Sequence, residues 1–581
     1  MYILGISCFY HDAAAFLIRD GLPVAGAAEE RFTRKKHDTS FPINAINYCL
    51  KEAGISADLL SYVAFYEKPV LKFERVLSQH LETFPKSWVT FCTSIQSWIS
   101  EKLRVESIIR KKLRYRGKIF FIEHHLCHAA SCFFVSPFKR AAILAVDGVG
   151  EWATTSIGIG SDNRISLKKE IVFPHSIGLL YSTATAHLGF KVNNDEYKVM
   201  GLSAYGKPRY YNNFKKIIDI KEDGSFALDM SYFDYPFGKK MPGRKYIMEF
   251  GPIRKKGEPI TKMHMDIAAS LQKVTEEAIF KIISNLRKES GEENLCIAGG
   301  VALNSVANGK ILKKSGFKKI FIQPAAGDDG ASLGAAYFTW NFILKKKRTY
   351  VMDSASWGPS FSDNEIKKFL DDKGIKYNRY RSASALIKDV SKRILAGKVV
   401  GWFQGRMEWG PRALGNRSIL ANPRIPEMKE ILNSKVKHRE EFRPFAPAVP
   451  AWLARRYFEC DFPVPIPADF MLMVYPIKKD KQKLIPAVTH IDGTGRLQTI
   501  RRFQNPLYYD LIMQFGRDSK VPILINTSFN IRGEPIVCTP EDAYKCMMGT
   551  GIDCTVMGSF FVERKNNLRD AWDSEGVSRN E

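Results

Sequence analysis

Three stretches in the front part of the chain share one grammar: an apolar strand, a turn of small or acidic residues, then more regular structure. They are YILGISCFYHDAAAFLIRDG from Tyr2, AAILAVDGVGEWATTSIGIG from Ala141 and NLCIAGGVALNSVANGKIL from Asn294. The first two predict β-hairpins with one aspartate in the turn, Asp12 and Asp147. The third predicts a strand that runs into Gly299-Gly300 and then a helix. A chain with this pattern folds as an α/β protein with small turns gathered at strand ends.

The rest of the organisation follows from breaks in pattern. Residues 70–116 carry a helical pattern ending in a basic stretch (Arg110, Lys111, Lys112, Arg114, Arg116), which reads as a solvated helix face. The segment NFILKKKRTYVMDSASWGPSFSDNEI joins a basic cluster to a Gly/Pro/Ser-rich stretch, as linkers do. This predicts a first domain over residues 1–345, a linker over 346–360, a second domain over 361–565 and a polar tail over 566–581. The second domain opens with a helix capped by Ser362, with Glu365 completing a capping box. A helix from about Ser382 and the strand VVGWFQG come next.

Composition narrows the class of partner. Lys and Arg number 87 against 61 Asp and Glu, a formal charge of +26, which favours anionic ligands. Apolar residues make up 45% of the chain, which excludes wholesale disorder. No apolar run is long enough to cross a bilayer, so no membrane partner is expected. The first residues lack the basic n-region of a secretory signal. Ten scattered cysteines with no CxxC pair suggest free thiols in a reducing, cytoplasmic setting.

The sharpest chemical signal is EHHLCHAAS. His124 and His128 are four apart, share one face of a helix and can reach one metal ion. Asp147 ends an apolar strand, and Asp328 sits in the Gly-rich turn PAAGDDGASLGAA, with Asp329 beside it. Two imidazoles and two carboxylates without a thiolate suit ferrous iron, zinc or manganese. Gly299-Gly300, and the glycines around Asp328-Asp329, let backbone amides approach phosphate or ribose.

The order hairpin–Asp, hairpin–Asp, GG–helix resembles the actin/sugar-kinase/heat-shock ATPase superfamily, and the HxxxH with the later GDDG resembles its Kae-like branch. Further segments narrow the resemblance: EERFTRKKHDTSFP from Glu29, NNDEYKVMGLSAYGKP from Asn193, GRMEWGPRALGNRSILANPR from Gly405, VKHREEFRPFAPAV from Val436, HIDGTGRLQTI from His490 and INTSFNIRGEPIV from Ile525. Together they are similar to the O-carbamoyltransferases of the NodU/CmcH/TobZ family over almost the whole chain. The resemblance implies a duplicated actin-like (ASKHA, Kae-like) α/β domain followed by a YrdC-like α/β domain. It also implies a two-step activity: carbamoyl adenylate forms from carbamoyl phosphate and ATP, and the carbamoyl group then passes to a hydroxyl of a small-molecule acceptor such as a sugar or natural product.

Residue by residue, the resemblance implies His124, His128, Asp147 and Asp328 as ligands of Fe(II) or another divalent metal. It implies His11 as base or acceptor-orienting group, Lys36 on the adenylate phosphate, and Gly299, Gly300 and Asn304 around the adenosine. In the second half it implies an activation site of Arg417, Lys437, Arg496, Asn526 and Ser528, with Lys435 and Arg439 competing for the role of Lys437. Arg412, Arg439, Arg443 and Thr527 add anion contacts, and Mg2+ accompanies ATP. Forked guanidiniums suit phosphates better than a point charge does. A threonylcarbamoyl-type tRNA-modifying enzyme and a non-catalytic ATP-binding module are the alternatives. Nucleic acid is not an expected partner, and a homodimer is expected on base rates.

Overall fold

The structure is a computed structural model that describes residues 1–238 and 240–570. From residue 571 onward, the polar tail expected over 566–581 lies outside the described residues. The chain groups into two compact units. The first joins Met1–Glu29 to Thr39–Met352, and the second joins Glu30–Asp38 to the chain from Asp353 onward.

The first unit contains one topology twice. Strands β1 (Tyr2–Ser7), β2 (Ala14–Arg19), β3 (Leu22–Ala28), β4 (Leu60–Phe65) and β5 (Lys118–Phe121) form a sheet in the order β3-β2-β1-β4-β5. After them come β6 (Arg140–Val146), β7 (Ala153–Ser161), β8 (Arg164–Val172), a short antiparallel ribbon of β9 (Ile218–Ile220) and β10 (Phe226–Leu228), then β11 (Asn294–Ala298) and β12 (Lys319–Phe321). The second sheet runs β8-β7-β6-β11-β12. In each sheet the first three strands pair antiparallel and the last two add on parallel. This repeated order is the duplicated actin-like α/β fold. The predicted hairpins are β1–β2 and β6–β7, with Asp12 and Asp147 in their turns.

Buried strands explain the apolar runs: Ile3, Leu4 and Ile6 of β1 and Ala142–Ala145 of β6 are shielded on both faces, as parallel sheets between helices require. Two helices, His124–Phe133 and Asp328–Tyr337, lie against each other. Gly334 makes this approach possible, because a Cβ there would collide with the carbonyl of Cys127. Gly299 has φ 93°, and a Cβ on it would strike the carbonyl of Val146.

The second unit is built on a nine-stranded mixed sheet of β13 (Asn378–Arg379), β14 (Val400–Phe403), β15 (Arg417–Ala421), β16 (Ala446–Pro450), β17 (Met473–Pro476), β18 (Thr494–Ile500), β19 (Leu524–Ser528), β20 (Cys554–Met557) and β21 (Phe560–Glu563). Its order is β13-β21-β20-β14-β15-β19-β16-β18-β17. Helices Ala383–Leu395 and Pro506–Ser519 bury Leu386, Val390 and Ile394, and Tyr508, Leu511, Ile512 and Phe515, against it. These spacings put one apolar stripe of each helix on the sheet. Truncating one such side chain to alanine costs about 2–5 kcal/mol. Ser362 accepts from the Glu365 amide while Glu365 reaches back, the expected capping box. Segment Glu30–Asp38 packs within this unit: Phe32 sits against Met407, Ala413, Ile536 and Cys538. Arg31 donates to the Gly410 carbonyl at 3.0 Å, and Arg34 donates to the carbonyls of Pro535 and Ile536, both at 2.8 Å.

All ten cysteines are free thiols, with Cys92 exposed and the others buried. Among the described residues no helix is long and apolar enough to cross a membrane.

Candidate functional site

Polar residues of the first unit gather where strands end and helices begin, the usual place of ligand sites in α/β sheets. After β5 and the two residues Ile122 and Glu123, the helix His124–Phe133 begins and presents His124 and His128 on one face. Asp147 directly follows β6, and Asp328 opens the helix after β12. One ligand atom from each of these four buried residues lies within 4.8 Å of the others. His124 Nε2 is 2.9 Å from Asp147 Oδ2 and 3.0 Å from His128 Nε2. Both imidazoles stand 3.5 Å from Asp328 Oδ1.

The site fits a divalent cation on its own geometry. Both oxygens of Asp328 are buried without a hydrogen-bond partner, an arrangement that is costly unless a cation answers it. Two imidazole nitrogens facing each other across 3.0 Å likewise need either a shared proton or a metal. Burial opposes charge on His128, but Asp147 and Asp328 prevail and raise its pKa to about 9. Burial opposes ionisation of Asp147 too, yet His124 and His128 hold it well below the usual carboxylate range. His125 faces away to Ser156 at 2.7 Å, and burial with the neighbouring imidazoles lowers it to about 3.

His11 lies in the first hairpin turn, its Nδ1 2.9 Å from Asp12 and its Nε2 3.7 Å from Asp328. Burial pulls its pKa down, but Asp328 and Asp12 raise it well above the ordinary value. The Gly300 amide donates to Asp147 Oδ1 at 3.2 Å, tying the GG turn to the same site. Asn304 caps the short helix Ser305–Asn308 through the Ala307 amide and pairs with Gln272 in both directions at 3.0 and 3.1 Å.

In the second unit Lys437 meets the end of β19. Its ammonium donates to the carbonyl of Ser528, to the Asn530 carbonyl at 2.8 Å and to Asn530 Oδ1 at 2.9 Å. Burial, with Arg439 and Arg443 nearby, pushes its pKa well below the usual lysine value. Asn526 donates to Gln498 at 2.7 Å and to the Ala413 carbonyl at 3.2 Å, and its Oδ1 is buried without a hydrogen bond. Thr527 is its neighbour on β19, opposite Ile419.

The arginines differ from one another. Arg417 is fully buried, its guanidinium 3.7 Å over the Phe403 ring, and it donates to the carbonyls of Pro359, Gln404, Gly405 and Asn416. In this arrangement it braces the turn from inside. Arg439 donates to Asn433 at 2.8 Å and stacks on Phe445, and Arg443 lies 3.6 Å from Glu440. Arg496 is on β18, opposite Val474. Arg412 lies in the loop between β14 and β15, and Lys36 in the segment that groups with the second unit.

Comparison with known proteins decides the family. A family model described as "Carbamoyltransferase N-terminus" matches residues 2–337, and one described as "Carbamoyltransferase C-terminus" matches residues 391–564. The chain belongs to the carbamoyltransferase family. An uncharacterized protein of Synechocystis is 46% identical to it over 97% of both chains. Nodulation protein NolNO of Sinorhizobium fredii is 35% identical over 98% of this chain and 81% of its own. Nodulation protein NolO of Bradyrhizobium diazoefficiens is 35% identical over 79% of this chain and 81% of its own. The chain is thus a carbamoyltransferase enzyme.

Two carboxylates of this carbamoyltransferase escaped the sequence reading. Glu151 accepts from the His124 amide with both oxygens at 3.1 Å and from the Lys68 amide at 2.8 Å, fixing the start of the histidine helix. Glu408 accepts three backbone amides of the Arg-rich turn, those of Leu414 and Asn416 at 2.7 Å and Arg417 at 3.1 Å. The signals were present: an acid four residues past Asp147, and an acid inside RMEWGPRALGNR.

The raised pKa of His128 has a measurable consequence. A metal takes the imidazole lone pair, so below pH 9 it must displace a proton. Affinity of the metal-free carbamoyltransferase for Mn2+ or Zn2+ therefore rises about tenfold per pH unit between roughly pH 7 and 9 and then levels. Chelator-competition titrations across that range read the slope. A flat profile would mean that His128 is already neutral without metal.

Proposed function

We propose that this carbamoyltransferase uses ATP and carbamoyl phosphate to carbamoylate a hydroxyl of a small-molecule acceptor, with one reaction in each half of the chain. Carbamoyl phosphate, ATP and water would give carbamoyl adenylate, pyrophosphate and phosphate. The acceptor oxygen then bonds to the carbamoyl carbon, the bond from that carbon to the AMP oxygen breaks, and AMP departs. The observation that carries the reading is the buried meeting of His124, His128, Asp147 and Asp328, whose oxygen-and-imidazole donor set suits Fe(II).

These four residues would hold the cation, which when bound supplies Lewis acidity toward a carbonyl or phosphate oxygen. A carbamoyl carbon is dulled by its nitrogen lone pair, so the alcohol must also lose its proton. His11 stands next to Asp328 and, in its neutral form, would accept that proton at Nε2. Asp12 and Asp328 favour its protonated form, which makes the transfer step faster at alkaline pH. In the second half, the activation step would take place where Lys437 meets Ser528 beside Asn526 of β19, the carbamoyl or phosphate oxygens exchanging with the oxygens that the Lys437 ammonium now contacts, with Mg2+ accompanying ATP. Gly299 and Gly300, next to Asp147, would take the adenylate in the first half.

The test is incubation with ATP and carbamoyl phosphate alone. Pyrophosphate release that depends on carbamoyl phosphate is expected without any acceptor. Release of ADP instead, or none of either product, would remove the adenylate route.

A further inference from the structure

The helices between β4 and β5 take no part in the chemistry above, and their polarity is unusual. Helix Pro69–Glu82 buries Lys72 and Arg75 and turns Val70, Leu77 and Leu81 outward. At about 100° per residue those three apolar residues form one stripe opposite the two cations. The inward side is accounted for, since Lys72 pairs with Glu67 at 2.5 Å and lies over the Tyr10 ring, and Arg75 lies over Phe173. The outward side carries these three apolar residues with Glu74 among them, and it faces solvent. The next helix, Trp88–Ser100, buries only Trp98 of its thirteen residues.

The result is a concentrated patch. Among the described residues, eight of the twenty exposed large apolar side chains fall between Val70 and Leu103. Val70, Leu81, Phe84 and Val89 are 65–72% exposed, and Trp88 is 56% exposed. Phe84 and Trp88 stand edge to face at 6.4 Å where the two helices meet. Beyond the patch, the end of helix Val105–Leu113 and the following turn expose Lys111, Lys112, Arg114, Arg116 and Lys118. Over residues 70–118 there are eleven Lys and Arg against four Glu; with Lys72 and Arg75 buried, the outward excess of cations is five.

We propose that this helical insertion docks the carbamoyltransferase on the surface of an anionic phospholipid bilayer. An exposed aromatic pair suits the headgroup–acyl boundary, and a cationic flank suits anionic headgroups. Among the described residues no helix is long and apolar enough to cross a bilayer, so the proposed contact is peripheral. Charge selects this occupant over a second copy of the chain, whose own insertion would bring the same cationic flank against it. The proposal assigns an anionic partner to the basic stretch read from sequence as a solvated face, and it departs from the expectation of no membrane partner.

The test is co-sedimentation of the full chain with vesicles of phosphatidylcholine alone and of phosphatidylcholine containing one-third phosphatidylglycerol. Wild type is expected to pellet with the anionic vesicles only, and high salt should release it. Phe84→Ala/Trp88→Ala should lower binding at least about tenfold. Lys111→Glu/Lys112→Glu should lower it about fivefold or more per site. Pyrophosphate release in solution should be unchanged in both variants, which also verifies that they fold. Wild type that stays in the supernatant overturns the proposal, as does vesicle binding unaffected by either variant. A dimer in light scattering that Phe84→Ala/Trp88→Ala splits, without vesicle binding, would assign the patch to a second copy instead.

Discussion

Replacing His124 with alanine is expected to abolish divalent-metal binding at the His/Asp site of the first unit and, on the two-site reaction proposed above, to end acceptor carbamoylation while pyrophosphate release from ATP and carbamoyl phosphate continues. The size follows from sharing. Four-ligand structural Zn2+ sites bind with about 10–16 kcal/mol, roughly 2.5–4 kcal/mol per ligand, and a share of that order is expected for each ligand here. Losing one therefore weakens binding by several hundredfold. His128→Ala should behave alike, because both Nε2 atoms meet the same two carboxylates. Metal analysis of the purified variants together with the two partial reactions reads the outcome. Full occupancy in His124→Ala would discard the ligand assignment, and simultaneous loss of both partial reactions would discard the division of labour.

The second large effect belongs to Glu408. One of its oxygens gathers three main-chain amides, and the residue is only 5% exposed. Glu408→Ala leaves buried donors unanswered in the turn that carries Arg412 and Arg417, at a cost of about 3–5 kcal/mol. For a unit of this size that corresponds to a midpoint about 10 °C lower in thermal unfolding. Glu408→Gln keeps an acceptor oxygen in place and should recover most of the loss. Pyrophosphate release should track stability in the same order. Equal damage from alanine and glutamine would show that the charge, and not the acceptor, organises the turn.

Much of this was readable beforehand where local rules suffice. Spacing of four put His124 and His128 on one helix face, and the hairpin and Gly-rich turns marked Asp147 and Asp328. The duplicated fold was expected only through the family resemblance that the two hairpins and the GG turn helped to carry; the sequence itself shows no repeat. What stayed hidden depends on long-range packing. The helical pattern over 70–116 was readable but not that Val70, Leu77 and Leu81 point outward, because a pattern has no inside until its neighbours are placed. Arg417 read as a phosphate contact from its neighbours in GPRALGNR, yet its donors meet carbonyls from residues as distant as Pro359. Nothing local in EERFTRKKHD reveals that Phe32 finds its neighbours some four hundred residues downstream, beside Met407 and Ile536.

That last placement governs how the enzyme can be taken apart. A cut near residue 353 looks natural on the linear map, but it would carry Arg31, Phe32 and Arg34 away with the wrong fragment. The rear piece would be left with an open apolar socket at Met407 and Cys538 and with bare carbonyls at Gly410, Pro535 and Ile536. Fragment complementation, or a graft of residues 30–38 onto the rear piece, is the way to study either half alone.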